Sequence, residues 1–124
     1  MTALETSVWT AVCALADLAP ERGAAALLGD DQVALFRLLD DSVLAVQQHD
    51  PFSDAHVISR GIVGSRHVGE LEVPTVASPM YKQVFDLTTG RCLDVAGKAP
   101  VRGAAPDLRT WPVRVRDGLV EVGT

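Results

Sequence analysis

Short runs of β-favouring apolar residues, each closed within a few positions by turn formers, recur along this 124-residue chain. Residues 8–14 form the first run, and Pro20-Glu21-Arg22-Gly23 predicts a turn before a second strand over 24–28. Gly29-Asp30-Asp31 reverses the chain into a third strand over 32–38, and Asp40-Asp41-Ser42 joins it to a fourth over 43–46, because short polar side chains suit tight turns. These runs predict an N-terminal meander. Near the other end, 111–116 alternates apolar Val113 and Val115 with Arg114 and Arg116. Asp117-Gly118 then leads into 119–122. Asp-Gly between alternating runs is a strong short-range hairpin signal. Strands this short, joined by turns, predict an all-β, mainly antiparallel sandwich or barrel.

The middle, residues 47–87, is less regular. Residues 54–60 predict one helical turn ending at Gly61, with Ser53 or Asp54 as N-cap. Pro51, Gly61, Gly64, Gly69, Pro74 and Pro79 punctuate the rest as loops more than long elements. Residues 95–106, rich in Ala, Gly and Pro, predict a mobile surface loop. A chain of this length makes one domain, 1–124, around one ordinary core.

Hydrophobic residues at 48% and charged residues at 22% exclude a disordered composition. The net charge is −5 and the arginines are dispersed, so no basic stripe is present to follow a phosphate backbone and nucleic acid is not expected as a partner. Residues 8–19 are too few to span a bilayer and include Asp17. Ala14-Leu15-Ala16 imitates a signal-peptidase site, but the residues before it include Glu5 and no Lys or Arg, so export is not expected. Cys13 and Cys92 are too few for a disulfide framework and lack metal-type spacing, which fits a reducing cytoplasm.

The sequence between the two ends carries a more specific pattern. Leu44-Ala45-Val46 leads into Gln47-Gln48-His49-Asp50-Pro51-Phe52, and Ser78-Pro79-Met80-Tyr81-Lys82-Gln83 leads into Val84-Phe85-Asp86-Leu87 and the turn Thr88-Thr89-Gly90. These stretches resemble the two loops of a Rieske iron–sulfur domain, a β-sandwich with a small inserted loop subdomain, here about 47–87. In that family each loop supplies one Cys and one His to a two-iron two-sulfur centre. Both loop prolines are kept. The ligands are not: Asp50 stands at the first Cys, Phe52 at the first His, Ser78 at the second Cys and Tyr81 at the second His. Such clusters require soft thiolate donors, and neither His49 nor Cys92 rebuilds the set.

Loss of the ligands with retention of the frame resembles the small subunit of the assimilatory NAD(P)H-dependent nitrite reductase. The resemblance rests on Asp50-Pro51-Phe52, Ser59-Arg60-Gly61, Ala77-Ser78-Pro79 before Lys82-Gln83, and Leu28-Gly29-Asp30 before 32–37. It covers about 8–94 and 111–122. It implies a subunit with no cofactor, metal or catalytic residue of its own, acting by association with a large subunit. That partner is expected to carry FAD, siroheme and a four-iron four-sulfur cluster and to reduce nitrite to ammonium, while no membrane is involved. Two other readings stay open: a Rieske-type ferredoxin carrying electrons, and a free-standing cluster-less binding module. Whether NADH or NADPH is used, and the subunit ratio, stay open as well.

For Phe52 and Tyr81 two roles compete: filling the space a cluster would occupy, or forming with Met80 and Lys82 a tip that contacts the large subunit. The other candidates have plainer explanations. His49, His56 and His67 lack ligand spacing and are expected to be solvated or hydrogen-bonded, and the two cysteines to behave as small hydrophobes. Asp30-Asp31 and Asp40-Asp41 suit turns, and Gly61-x-x-Gly64 lacks the Lys of a phosphate loop.

Overall fold

A computed structural model describes residues 8–124, so Glu5, which weighed against export, lies outside the described residues. The strands are β1 (Trp9–Ala14), β2 (Gly23–Leu28), β3 (Asp31–Arg37), β4 (Val43–Gln47), β5 (Ile62–Val68), β6 (Leu71–Ala77), β7 (Val84–Asp86), β8 (Cys92–Asp94), β9 (Thr110–Trp111), β10 (Val113–Arg116) and β11 (Leu119–Gly123). They form three antiparallel sheets, ordered β2-β3-β4-β9, β1-β11-β10 and β5-β6-β7-β8.

The central strand β3 shows why three sheets form one body. Its run Val33-Ala34-Leu35-Phe36 is apolar without interruption, and successive side chains of a strand point to opposite faces. Val33 and Leu35 therefore enter one core, with Val43, Ala45, Trp111, Val120 and Val122. Ala34 and Phe36 enter a second core, with Val46, Phe52, Val76, Phe85 and Leu87. A strand covered on both faces reads as a continuous apolar run instead of an alternating one.

β2, β3 and β4 make the predicted meander, but β1 does not join it. It crosses to pair with β11, setting Trp9 opposite Gly123, because its inward residues pack on the first core beside Val120 and Val122. The middle segment also departs from the loop reading. β5 and β6 form a seven-residue hairpin with Ser65 opposite Pro74. Most of β5 is exposed, which removes the apolar alternation that reveals a strand. Pro74 is tolerated because it lies just outside the β6–β7 ladder, which begins at Thr75, while its carbonyl accepts the Leu87 N–H at 2.9 Å.

The helical turn is shorter than predicted, spanning Ile58–Arg60 and ending at Gly61, with Val57 at the N-cap position in place of Ser53 or Asp54. Those two residues belong instead to a separate turn, closed by the Asp54 N–H donating to the Asp50 carbonyl at 2.8 Å. Cys92 opens β8, and both cysteines are half-buried. Burial pushes both thiols above their ordinary pKa, with Asp17 adding to the effect at Cys13. Gly90 matters for the turn after β7: its φ is +79°, and a Cβ there would collide with the Leu108 carbonyl. Leu108 donates its N–H to the Gly90 carbonyl at 2.7 Å, which brings the chain back toward β9.

Candidate functional site

The first loop leaves the end of β4 and is closed by an isolated bridge between His49 and His56. Inside it Asp50 is fully buried. Its Oδ1 accepts the N–H of Phe52 at 2.8 Å and of Ser53 at 3.4 Å, which is why the chain turns here and does not begin a helix. Buried Gln48 fixes the loop against the following turn: its Oε1 accepts the Ser59 N–H at 2.7 Å and its Nε2 donates to the His56 carbonyl at 3.2 Å.

The second loop joins β6 to β7. Ser78 donates its N–H to the Gln83 carbonyl at 2.8 Å, and its Oγ accepts the Met80 N–H at 3.2 Å. That hydroxyl also donates to Asp50 Oδ2 at 2.6 Å, and Ser78 is fully buried. Asp50 of the first loop and Ser78 of the second therefore touch one another directly. A two-iron two-sulfur centre does not fit this site, since both donors are hard oxygens and a direct hydrogen bond fills the gap that irons and sulfides would span.

The two aromatic residues of the loops, Phe52 and Tyr81, diverge. Phe52 is 4% exposed and packs in the second core, its ring centroid 6.2 Å from that of Phe85. It fills the interior, which corrects its place among the surface contact residues. Tyr81 is 43% exposed and Met80 47%. Lys82 lies beside them, exposed, with φ +67°.

A third segment, invisible to motif reading, completes the tip. The stretch read as a free loop is exposed but anchored: Val101 donates its N–H to the Pro51 carbonyl at 2.9 Å, and Arg102 pairs with Asp54 at 2.8 Å. Lys98 places its Nζ 4.6 Å from the Tyr81 ring centroid, and Gln83 Nε2 donates to the Val95 carbonyl at 3.3 Å. The one signal for this segment was composition, since Lys82 and Lys98 are the only lysines of the chain.

The histidines separate as well. His49 Nε2 is 2.7 Å from Asp54 Oδ1, and the His49 and His56 ring centroids are 5.3 Å apart, whereas His67 lies on β5. The hydrogen bond from His49, followed by that from Arg102, holds the Asp54 carboxyl below its usual range. Asp40 accepts the Ser42 hydroxyl at 2.6 Å and the Ser42 N–H at 3.0 Å, which lowers its pKa and explains the pair 40–41 as turn chemistry. Among the described residues no group of three or more His, Cys, Asp or Glu side chains is placed to hold a metal ion.

Three antiparallel sheets with two loops at one end, tied together by a buried Asp50–Ser78 hydrogen bond, define a Rieske-type domain. Comparison with known proteins agrees: the Rieske-like 2Fe-2S domain family matches residues 8–123. A nitrite reductase (NADH) small subunit of Escherichia coli (strain K12) is 39% identical over 117 residues, which are 94% of this chain and 97% of that protein. A crystal structure from Mycobacterium tuberculosis, described as an NADH-dependent nitrite reductase small subunit, superposes with a TM-score of 0.78 at 45% identity, covering 94% of this chain and 95% of that one. A nitrite reductase NAD(P)H large subunit of Klebsiella oxytoca is 40% identical over 121 residues, 98% of this chain but 11% of the larger protein. The chain belongs to the Rieske-like domain family and, within it, to the small subunits of NAD(P)H-dependent nitrite reductase.

Proposed function

We propose that this chain acts by associating with the large subunit of a nitrite reductase that converts nitrite to ammonium with electrons from NAD(P)H, and that it performs no redox step itself. The observation that carries this reading is the Klebsiella oxytoca relative, in which a segment similar to nearly all of this chain is part of a large-subunit polypeptide. Covalent fusion holds two units at a fixed one-to-one ratio and a high effective concentration, which is useful only if the units work together. The redox groups, FAD, siroheme and a four-iron four-sulfur cluster, belong on this reading to the large subunit, and the complex works in the cytoplasm, where NAD(P)H is available.

The contact surface is the loop tip, through Met80, Tyr81 and Lys82. The direct Asp50–Ser78 contact speaks against the ferredoxin reading, because the two side chains that meet there offer oxygen donors and no thiolate. The test is to express the chain with a siroheme-type large subunit, purify the complex, and compare nitrite-dependent NAD(P)H oxidation by the complex, the large subunit and the chain alone. Co-purification with no turnover by the chain alone is the expected result. Turnover by the isolated chain, with contaminating reductase excluded, would show the division of roles to be wrong.

A further inference from the structure

The chain carries a net charge of −5, yet its only two lysines, 16 positions apart in sequence, both sit at the loop tip. Lys82 follows Tyr81 on the second loop, and Lys98 reaches over the Tyr81 ring from the third. Neither lysine forms an ion pair among the described residues, whereas Arg102, close by, is neutralised by Asp54 at 2.8 Å. The result is two free positive charges around a half-exposed Tyr81 and Met80, on a molecule that is otherwise acidic.

The three segments carrying these groups are also fixed to one another. The Asp50–Ser78 hydrogen bond joins the first loop to the second, Val101 to Pro51 joins the first to the third, and Gln83 to Val95 joins the second to the third. A surface held this way loses little conformational freedom when a partner covers it. A cation on one face of an aromatic ring leaves the other face for apolar contact.

We propose that the tip docks onto an acidic patch of the large subunit, with Lys82 and Lys98 facing carboxylates and Tyr81 and Met80 sealing the contact between them. This deepens the reading above and rests on it. Charge complementarity also argues against a second copy of this chain as the occupant, because an identical tip would present the same two lysines to them. Electrostatic steering of this kind acts mainly on the association rate and weakens as salt screens it.

The test measures association of the chain with the purified holo large subunit for three proteins: the native chain, K82E/K98E, and R22E/R116E. Arg22, just before β2, and Arg116, in β10, are exposed and have no ion pair among the described residues, and reversing both charges gives the third protein the same net charge as the second. At low ionic strength K82E/K98E is expected to associate about tenfold or more slowly than the native chain, while R22E/R116E stays within about threefold. The difference should shrink near 1 M salt, where the Debye length is about 3 Å. Equal rates for the native chain and K82E/K98E would overturn the proposal, as would equal losses in the two variants, which would reduce the effect to net charge. A dimer of the native chain in sedimentation that K82E/K98E dissolves would also overturn it, by placing a second copy on the tip. If the native chain itself fails to bind, the subunit reading falls first and takes the acidic partner with it.

Discussion

In the central sheet, β3 and β4 bury Phe36, Leu35 and Val46 in two apolar clusters, while at the loop tip Asp50 and Ser78 are just as inaccessible and are held by directional hydrogen bonds. The two regions share a wall, since Phe52 from the first loop packs in the same core as Phe36. Apolar burial is non-directional and scales with area, so the sheet depends on volume. A buried carboxylate depends on every donor aimed at it, so the tip depends on geometry. A change of residues at the tip therefore alters its polar tie without touching the apolar packing of the sandwich.

The largest expected effect lies on the apolar side. Phe36→Ala removes a fully buried ring and should cost about 3–5 kcal/mol in urea unfolding, with loss from both cores' shared strand. A cost below about 1 kcal/mol would mean that β3 does not hold the sheets together.

Next in size is the tie itself. Asp50→Ala leaves the Ser78 hydroxyl and the Phe52 and Ser53 amides without their acceptor, and should cost about 2–4 kcal/mol. The double variant with Ser78→Ala should be less destabilised than the sum of the two single changes, by about 1 kcal/mol. Strict additivity would show that the two positions do not act as a pair, and the contrast with the sheet would fail.

Met80→Asp sharpens the comparison at the surface. Met80 is 47% exposed, so the free chain should change in stability by about half a kcal/mol. Association with the large subunit should weaken by a few kcal/mol, on the order of two to three, since apolar contact is lost and a carboxylate is stranded in the interface. Unaltered binding with unaltered stability would move the contact away from the tip.

The smallest effect is a pH dependence. The folded Asp54 carboxyl is held below its usual range by His49 and then Arg102, so the folded state binds its proton less readily than the unfolded chain does. Its contribution to stability is therefore present above an unfolded pKa of about 3.9 and is lost as pH falls through the lower folded value. Asp54→Asn should flatten the decline of melting temperature below about pH 4 slightly; an unchanged slope would show that this exposed carboxylate contributes nothing.

Much of this architecture was legible because its signals are local. The Asp-Gly hairpin, the meander turns and the apolar run of β3 each follow from a few adjacent residues. The β5–β6 hairpin was not, because a strand facing solvent has no apolar period to read and carries Gly64 and Pro74. β1 was placed in the wrong sheet for a different reason: its partner β11 is more than a hundred residues away, and pairing at that distance leaves no trace in either strand. At the tip, the two loops could be aligned by their prolines and by the residues around them. That Phe52 would turn inward and Tyr81 outward could not, since both are aromatic and their fates depend on Phe85 and Lys98, which lie in other segments.

If a hydrogen-bonded Asp50–Ser78 pair stands where a Rieske frame would hold a redox centre, the chain binds no cluster, and iron analysis tests this directly. The purified chain, incubated with iron and sulfide under reducing conditions and desalted, should be colourless and hold far less than one iron per chain. Two irons per chain with a visible charge-transfer band would contradict it, because Asp50, Phe52, Ser78 and Tyr81 could not then be the residues that decide what the tip binds.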